Sequence, residues 1–139
     1  HPDVQHTRDY LTYIGQRYRT GDFFDWAMVD RASGRMIGTC GFTAFDMAAN
    51  SAEVGYVLNP DYWGQGLGKE ALLQILHYGF EERGLNRLYA HINADNASSL
   101  RMHEKCGYKR EGLLRQAIFK NGQFKDVVVM SILKDEVID

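Results

Sequence analysis

A chain of 139 residues, 45% hydrophobic and 24% charged, suffices for one packed core and is too short to read as two, so a single domain over residues 1–139 is expected. Lys and Arg number 16 against 18 Asp and Glu; the formal charge of −2, with no long run of either sign, excludes a generally basic surface for nucleic acid or an anionic membrane. Cys40 and Cys106 stand far apart without a C-x-x-C, which predicts neither a disulfide framework nor a zinc site and fits a reducing cytoplasm.

The first residues, HPDVQHTRD, lack a signal-peptide pattern, and no apolar run approaches the ~20 residues of a membrane span. A start at His1 rather than Met leads to the expectation that an upstream segment has been lost. Tyr10, Leu11, Ile14 and Tyr18 make a helical stripe, so a helix is expected from Thr7, as N-cap, to about Thr20, with Gly21 as stop. Phe24 to Asp30 alternates as a strand, and DRASG turns it into a second strand over Arg35 to Phe45. A short third strand, Glu53 to Leu58, ends at Asn59-Pro60, where the glycines begin. Leu72, Ile75, Leu76, Gly79 and Phe80 then hold helical spacing up to a C-terminal cap at Gly84. Arg87 to Asn93 reads as a strand, NADNASS opens a helix of about two turns that Gly107 ends, and Asn121-Gly122 predicts a type I′ turn between two closing strands. The order strand, helix, strand around the first of these helices makes the flanking strands parallel neighbours. The sum is a mixed α/β sheet with antiparallel ends and a parallel centre.

Gly64, Gly66 and Gly68 sit between a strand and a strong helix. Bare backbone there lets several N–H groups turn toward one point, and the helix adds its own unpaired N–H groups and positive dipole end, so the loop predicts an anion site shaped for phosphate. The spacing G-x-G-x-G does not match the dinucleotide fingerprint G-x-G-x-x-G. A P-loop fails too, because Glu70 follows Gly68-Lys69 and Trp63 occupies the position of its first glycine.

The run EVGYVLNPDYWGQGLGKEAL (Glu53 to Leu72), with NASS (Asn96 to Ser99) and EKCGY (Glu104 to Tyr108), strongly resembles the GNAT acetyltransferases, and within them the branch of ribosomal-protein N-terminal acetyltransferases of the Rim type. The resemblance spans residues about 22 to 134. It implies a GNAT fold with antiparallel N-terminal strands, a splayed parallel central pair and a C-terminal hairpin, from which the family's first strand and the start of its first helix are missing. It also implies acetyl-CoA as co-substrate. Gln65, Gly66, Leu67, Gly68 and Lys69 would hold its pyrophosphate, Val57 and Leu58 would lend backbone to the pantetheine arm as a sheet edge does to a peptide, and Asn96 would bond the arm. The superfamily often opens the glycine motif with Gln or Arg where this chain has Trp63; backbone phosphate contacts make that change a small one.

Acetyl transfer to an amine needs a neutral amine, a stabilised oxyanion and a proton for the departing thiolate. By the resemblance, Glu53 is the candidate base, with a solvent-facing strand-end carboxylate as the alternative. Asn96 and Ser99, spaced i, i+3 at a helix start, are good capping types; the resemblance adds Ser99 as a donor to the coenzyme sulfur. His103 stands where some GNAT enzymes carry a proton-donating tyrosine, and a packed, non-catalytic histidine is the alternative preferred here. H-E-x-x-H fails at Gly107 and no G-x-S-x-G occurs, so neither a metal nor an acyl-serine is implied. Tyr62 and Trp63 flank the loop, and Asp126 is read as a strand charge rather than an acceptor contact. The expected activity is direct transfer of acetyl to a primary amine, a protein N-terminus or a small amine such as a polyamine, aminoglycoside or amino acid. The rival is a non-catalytic acyl-CoA sensor. A monomer or homodimer without nucleic acid or membrane partners is expected.

Overall fold

The computed structural model describes residues 11–12, 24–30, 33–62 and 66–137. They form β1 (Leu11–Thr12), β2 (Phe24–Val29), β3 (Met36–Asp46), β4 (Ser51–Leu58), α1 (Leu67–His77), β5 (Arg87–Asn93), α2 (Ala97–Lys105), β6 (Lys109–Lys120) and β7 (Gln123–Leu133). The strands lie in one sheet in the order β1-β2-β3-β4-β5-β7-β6. All neighbours are antiparallel except β4 and β5, as expected when a helix carries the chain from one to the other. No described helix is long and apolar enough to cross a membrane.

At Leu11–Thr12 the predicted first helix is a short strand, paired Leu11↔Met28 and Thr12↔Ala27 with β2. A sheet edge offers these residues partners for their backbone N–H and C=O groups, and that pairing overrides a stripe counted on side chains alone. The rest of the Thr7–Thr20 stretch lies outside the described residues.

Both helices pack on one face of the sheet. Alternation along β4 turns Ala52, Val54 and Leu58 toward them, and along β5 it turns Leu88, Ala90 and Ile92 the same way, all buried. Helix α1 answers with Leu67, Ala71, Leu72, Ile75 and Leu76, each withdrawn from water at a gain of roughly 1.5–3 kcal/mol for the larger side chains. It runs on through a π-turn, Tyr78–Glu82, before Gly84, at φ 67°, turns the chain toward β5. Strand β3 approaches β4 closely because position 38 is glycine: a Cβ there would fall 2.2 Å from the Val57 carbonyl oxygen.

The parallel ladder is short. It pairs Ser51↔Arg87, Ala52↔Leu88 and Glu53↔Tyr89, then stops, although β4 continues to Leu58 and β5 to Asn93. Each strand remains paired on its other side, β4 with β3 through Leu58 and β5 with β7 through Asn93. The centre of the sheet therefore opens into a V at Glu53. At the far edge, Asn121 (φ 52°) and Gly122 (φ 75°) supply the two positive φ values of the predicted turn, closing β6 on β7 at Lys120↔Gln123.

Candidate functional site

The V is flanked by two helix N-termini. Gly66, at φ 78° and ψ 1°, is the N-cap of α1 and makes no side-chain cap bond, so the first N–H groups of that helix are left to other acceptors. A left-handed residue at this point is far cheaper as glycine than as any other type. Gly68, two residues further on, is buried, and a Cβ there would lie 3.2 Å from Met102 Sδ and 3.5 Å from the Tyr56 hydroxyl. Since Met102 belongs to α2 and Tyr56 to β4, this contact fixes the start of α1 against both.

The structure thus brings together Val57, Leu58, Gly66, Leu67, Gly68 and Lys69 at the open end of β4, with Asn96 and Ser99 on the neighbouring helix. Gln65, with Gly64 and Trp63, lies outside the described residues. The Leu67 side chain is buried in the core, so only its backbone faces the site, whereas the Lys69 side chain is exposed. Tyr62 reaches back across the sheet, its hydroxyl donating to Asp30 Oδ2 at 3.4 Å.

Asn96 caps α2: its Oδ1 accepts the Ser99 N–H and the Ser98 hydroxyl, each at 3.2 Å. His103 is only 3% exposed, and its Nδ1 stands 2.8 Å from the Ser99 carbonyl oxygen. A carbonyl only accepts, so the proton is on Nδ1. The imidazole packs edge-on to Tyr108 at 4.8 Å, and burial pushes its pKa below the usual 6.5. The ring is thus neutral and bonded to its own helix.

Tyr56 lies beside Gly68, Met102 and Ser99. Its hydroxyl donates to Met102 Sδ at 3.4 Å, and burial raises its pKa while a hydrogen bond with Ser99 opposes that rise. Alternation along β4 could have turned Tyr56 toward the helices, but not told site from core.

On the opposite face of β4, Glu53 Oε2 lies 2.7 Å from His91 Nδ1, with the two side chains 27% and 42% exposed. Tyr89, the register partner of Glu53, packs edge-on to His91 at 5.8 Å; burial and the Glu53 charge raise its pKa. The base candidate and the hydroxyls of Tyr56 and Ser99 therefore flank one open strand edge from its two sides.

A cleft of about 740 Å³ lies beside the C-terminal end of β5, lined by Leu113, Leu114, Arg115, Gln116 and Asp126. It forms where β6 bulges: register with β7 slips between Leu114 and Ile118, Gln116 takes φ 51°, and Asp126 Oδ1 accepts the Gln116 N–H at 2.8 Å. Asp126 thereby fastens the bulge. Among the described residues no cluster of three His, Cys, Asp or Glu side chains could hold a metal.

A family model described as an acetyltransferase (GNAT) domain matches residues 1–109. The chain is 33% identical over 134 residues to the N-acetyltransferase p20 of Bacillus licheniformis, itself uncharacterised, covering 96% of this chain and 75% of that one. It is 28% identical over 112 residues to the spermidine N(1)-acetyltransferase of Vibrio cholerae, covering 81% and 65%. YdaF of Bacillus subtilis, a candidate ribosomal N-acetyltransferase by its name, is 31% identical over 103 residues, 74% of this chain and 56% of that one. Among solved structures, the spermidine/spermine N-acetyltransferase SpeG of Vibrio cholerae superposes with a TM-score of 0.80 at 26% identity, over 84% of this chain and 70% of that one. The Rim-like branch is thus one of several that this chain resembles.

Proposed function

This chain belongs to the GNAT acetyltransferase family, and from that premise we propose that it moves the acetyl group of acetyl-CoA to a primary amine by direct attack in a ternary complex. The observation that carries the reading is the end of the β4–β5 ladder at Glu53↔Tyr89, between the N-termini of α1 and α2. An edge left open there suits a peptide-like arm, and a bare helix start at Gly66 suits its phosphates. Val57, Leu58, Gln65, Gly66, Leu67, Gly68, Lys69 and Asn96 would hold acetyl-CoA, which supplies the activated thioester.

The chain's own groups then handle protons. Glu53 accepts one from the acceptor's ammonium, so that the free nitrogen pair can form the new C–N bond as the C–S bond breaks. The departing thiolate takes a proton from the side where Tyr56 and Ser99 lie, and the second proton shed by the attacking nitrogen replaces it there, leaving a neutral amide and a restored hydroxyl. Glu53 is partly open to water, which lets its proton leave afterwards.

The relatives favour a polyamine as the first acceptor to try, with a protein N-terminus second. The test is thiol release from acetyl-CoA by the full chain against spermidine, peptides with free N-termini, aminoglycosides and amino acids. We expect release with at least one class and an acetylated amine by mass spectrometry. Acetyl-CoA binding with no release across the panel would support the sensor reading instead.

A further inference from the structure

His91 stands where the sheet parts. Strand β5 is held by β7 along its whole length, with His91 opposite Val129, whereas β4 leaves β5 after Glu53. The 2.7 Å contact between His91 Nδ1 and Glu53 Oε2 is thus a tether from a fixed strand to the last paired residue of a departing one. An ionised carboxylate only accepts, so the shared hydrogen belongs to Nδ1. That bond occupies Oε2 and leaves Oε1 for the acceptor.

The tether is itself braced. Tyr89 meets the imidazole at 5.8 Å with the rings at 82°, Arg87 lies over the Tyr89 ring at 4.8 Å, and Arg87 pairs with Glu111 on β6. From β3, Thr43 faces Glu53 in register, and the Asp46 charge reaches Tyr89.

We propose that His91 is a positioning residue for acetyl transfer, holding the Glu53 carboxylate by Oε2 so that Oε1 receives the amine proton. This rests on the reading of Glu53 as the base. It adds a residue on a different strand, whose partner is set by the parallel register.

The test uses the full chain with acetyl-CoA and an amine from the panel above, comparing H91A, H91N, E53Q and the double variant E53Q/H91A. H91A should lower kcat about tenfold while leaving the KM for acetyl-CoA unchanged, because a misplaced group costs rate rather than donor binding. H91N carries an amide N–H near the place of Nδ1 and should recover most of that loss. The double variant should be no slower than E53Q, since without the carboxylate there is nothing to position. Parental kcat in H91A, no recovery in H91N, or a double variant slower than E53Q by the H91A factor would each overturn the proposal while leaving Glu53 as base. Parental turnover in E53Q would instead remove the base reading, and the positioning role with it. A readout free of any acceptor is the imidazole 15N spectrum, where His91 should be the Nδ1-protonated tautomer in the parent; the Nε2-protonated form would also overturn the proposal.

Discussion

At the scale of single residues, the chemistry depends on which groups can move a proton, and burial sorts them. His103 is sealed between Tyr108 and its own helix, and its pKa is lowered by burial, so the folded chain prefers the neutral ring. The unfolded chain binds a proton as pH falls through about 6.5, and the folded chain does so only at lower pH. The histidine therefore favours folding above that value and loses this contribution as pH falls below it. Replacing it with asparagine, which can keep the bond to the Ser99 carbonyl without titrating, should flatten the acid side of the stability curve. Urea midpoints at about pH 7.5 and about pH 5.5 should fall further in the parent than in H103N; equal falls would show that His103 does not titrate on unfolding. The resemblance to the GNAT acetyltransferases singles out Glu53, and capping type with i, i+3 spacing singles out Asn96 and Ser99. His91 stayed hidden, since its partner depends on parallel register, which no local pattern encodes, and Tyr56 was hidden by looking like core.

At the scale of elements, most of the fold was legible. Strand alternation, the α1 stripe, Gly107 after α2 and the Asn121-Gly122 turn each have a local cause, and each element lies within a residue or two of its expected bounds. What was not legible is pairing: Leu11–Thr12 joined a sheet edge, and the bulge at Gln116 arises from a hydrogen bond to Asp126 ten residues away. The element to which the proposed function assigns binding is the start of α1. Gly66→Val puts a β-branched side chain at φ 78°, a strain of about 1–2 kcal/mol that the apolar stripe of α1 can absorb. Calorimetry should show acetyl-CoA affinity falling at least about tenfold while the thermal midpoint drops by only a few degrees. Unchanged affinity would sink the phosphate assignment of this loop.

At the scale of the molecule, the sheet works as two paired halves that part at Glu53, β1 to β4 on one side and β5, β7 and β6 on the other. The V that results has helix N-termini on one face and the Glu53–His91 pair on the other, the arrangement by which the proposed function lets donor and acceptor meet at one strand edge from opposite sides. The measurement that tests this most directly is amide hydrogen exchange of the full chain with and without acetyl-CoA. Saturating acetyl-CoA should slow exchange within Val54–Val57 of β4 and at Gly66–Lys69, and leave the β6–β7 turn at Asn121-Gly122 unchanged. Protection confined to other segments, or none at β4 despite binding, would contradict the account.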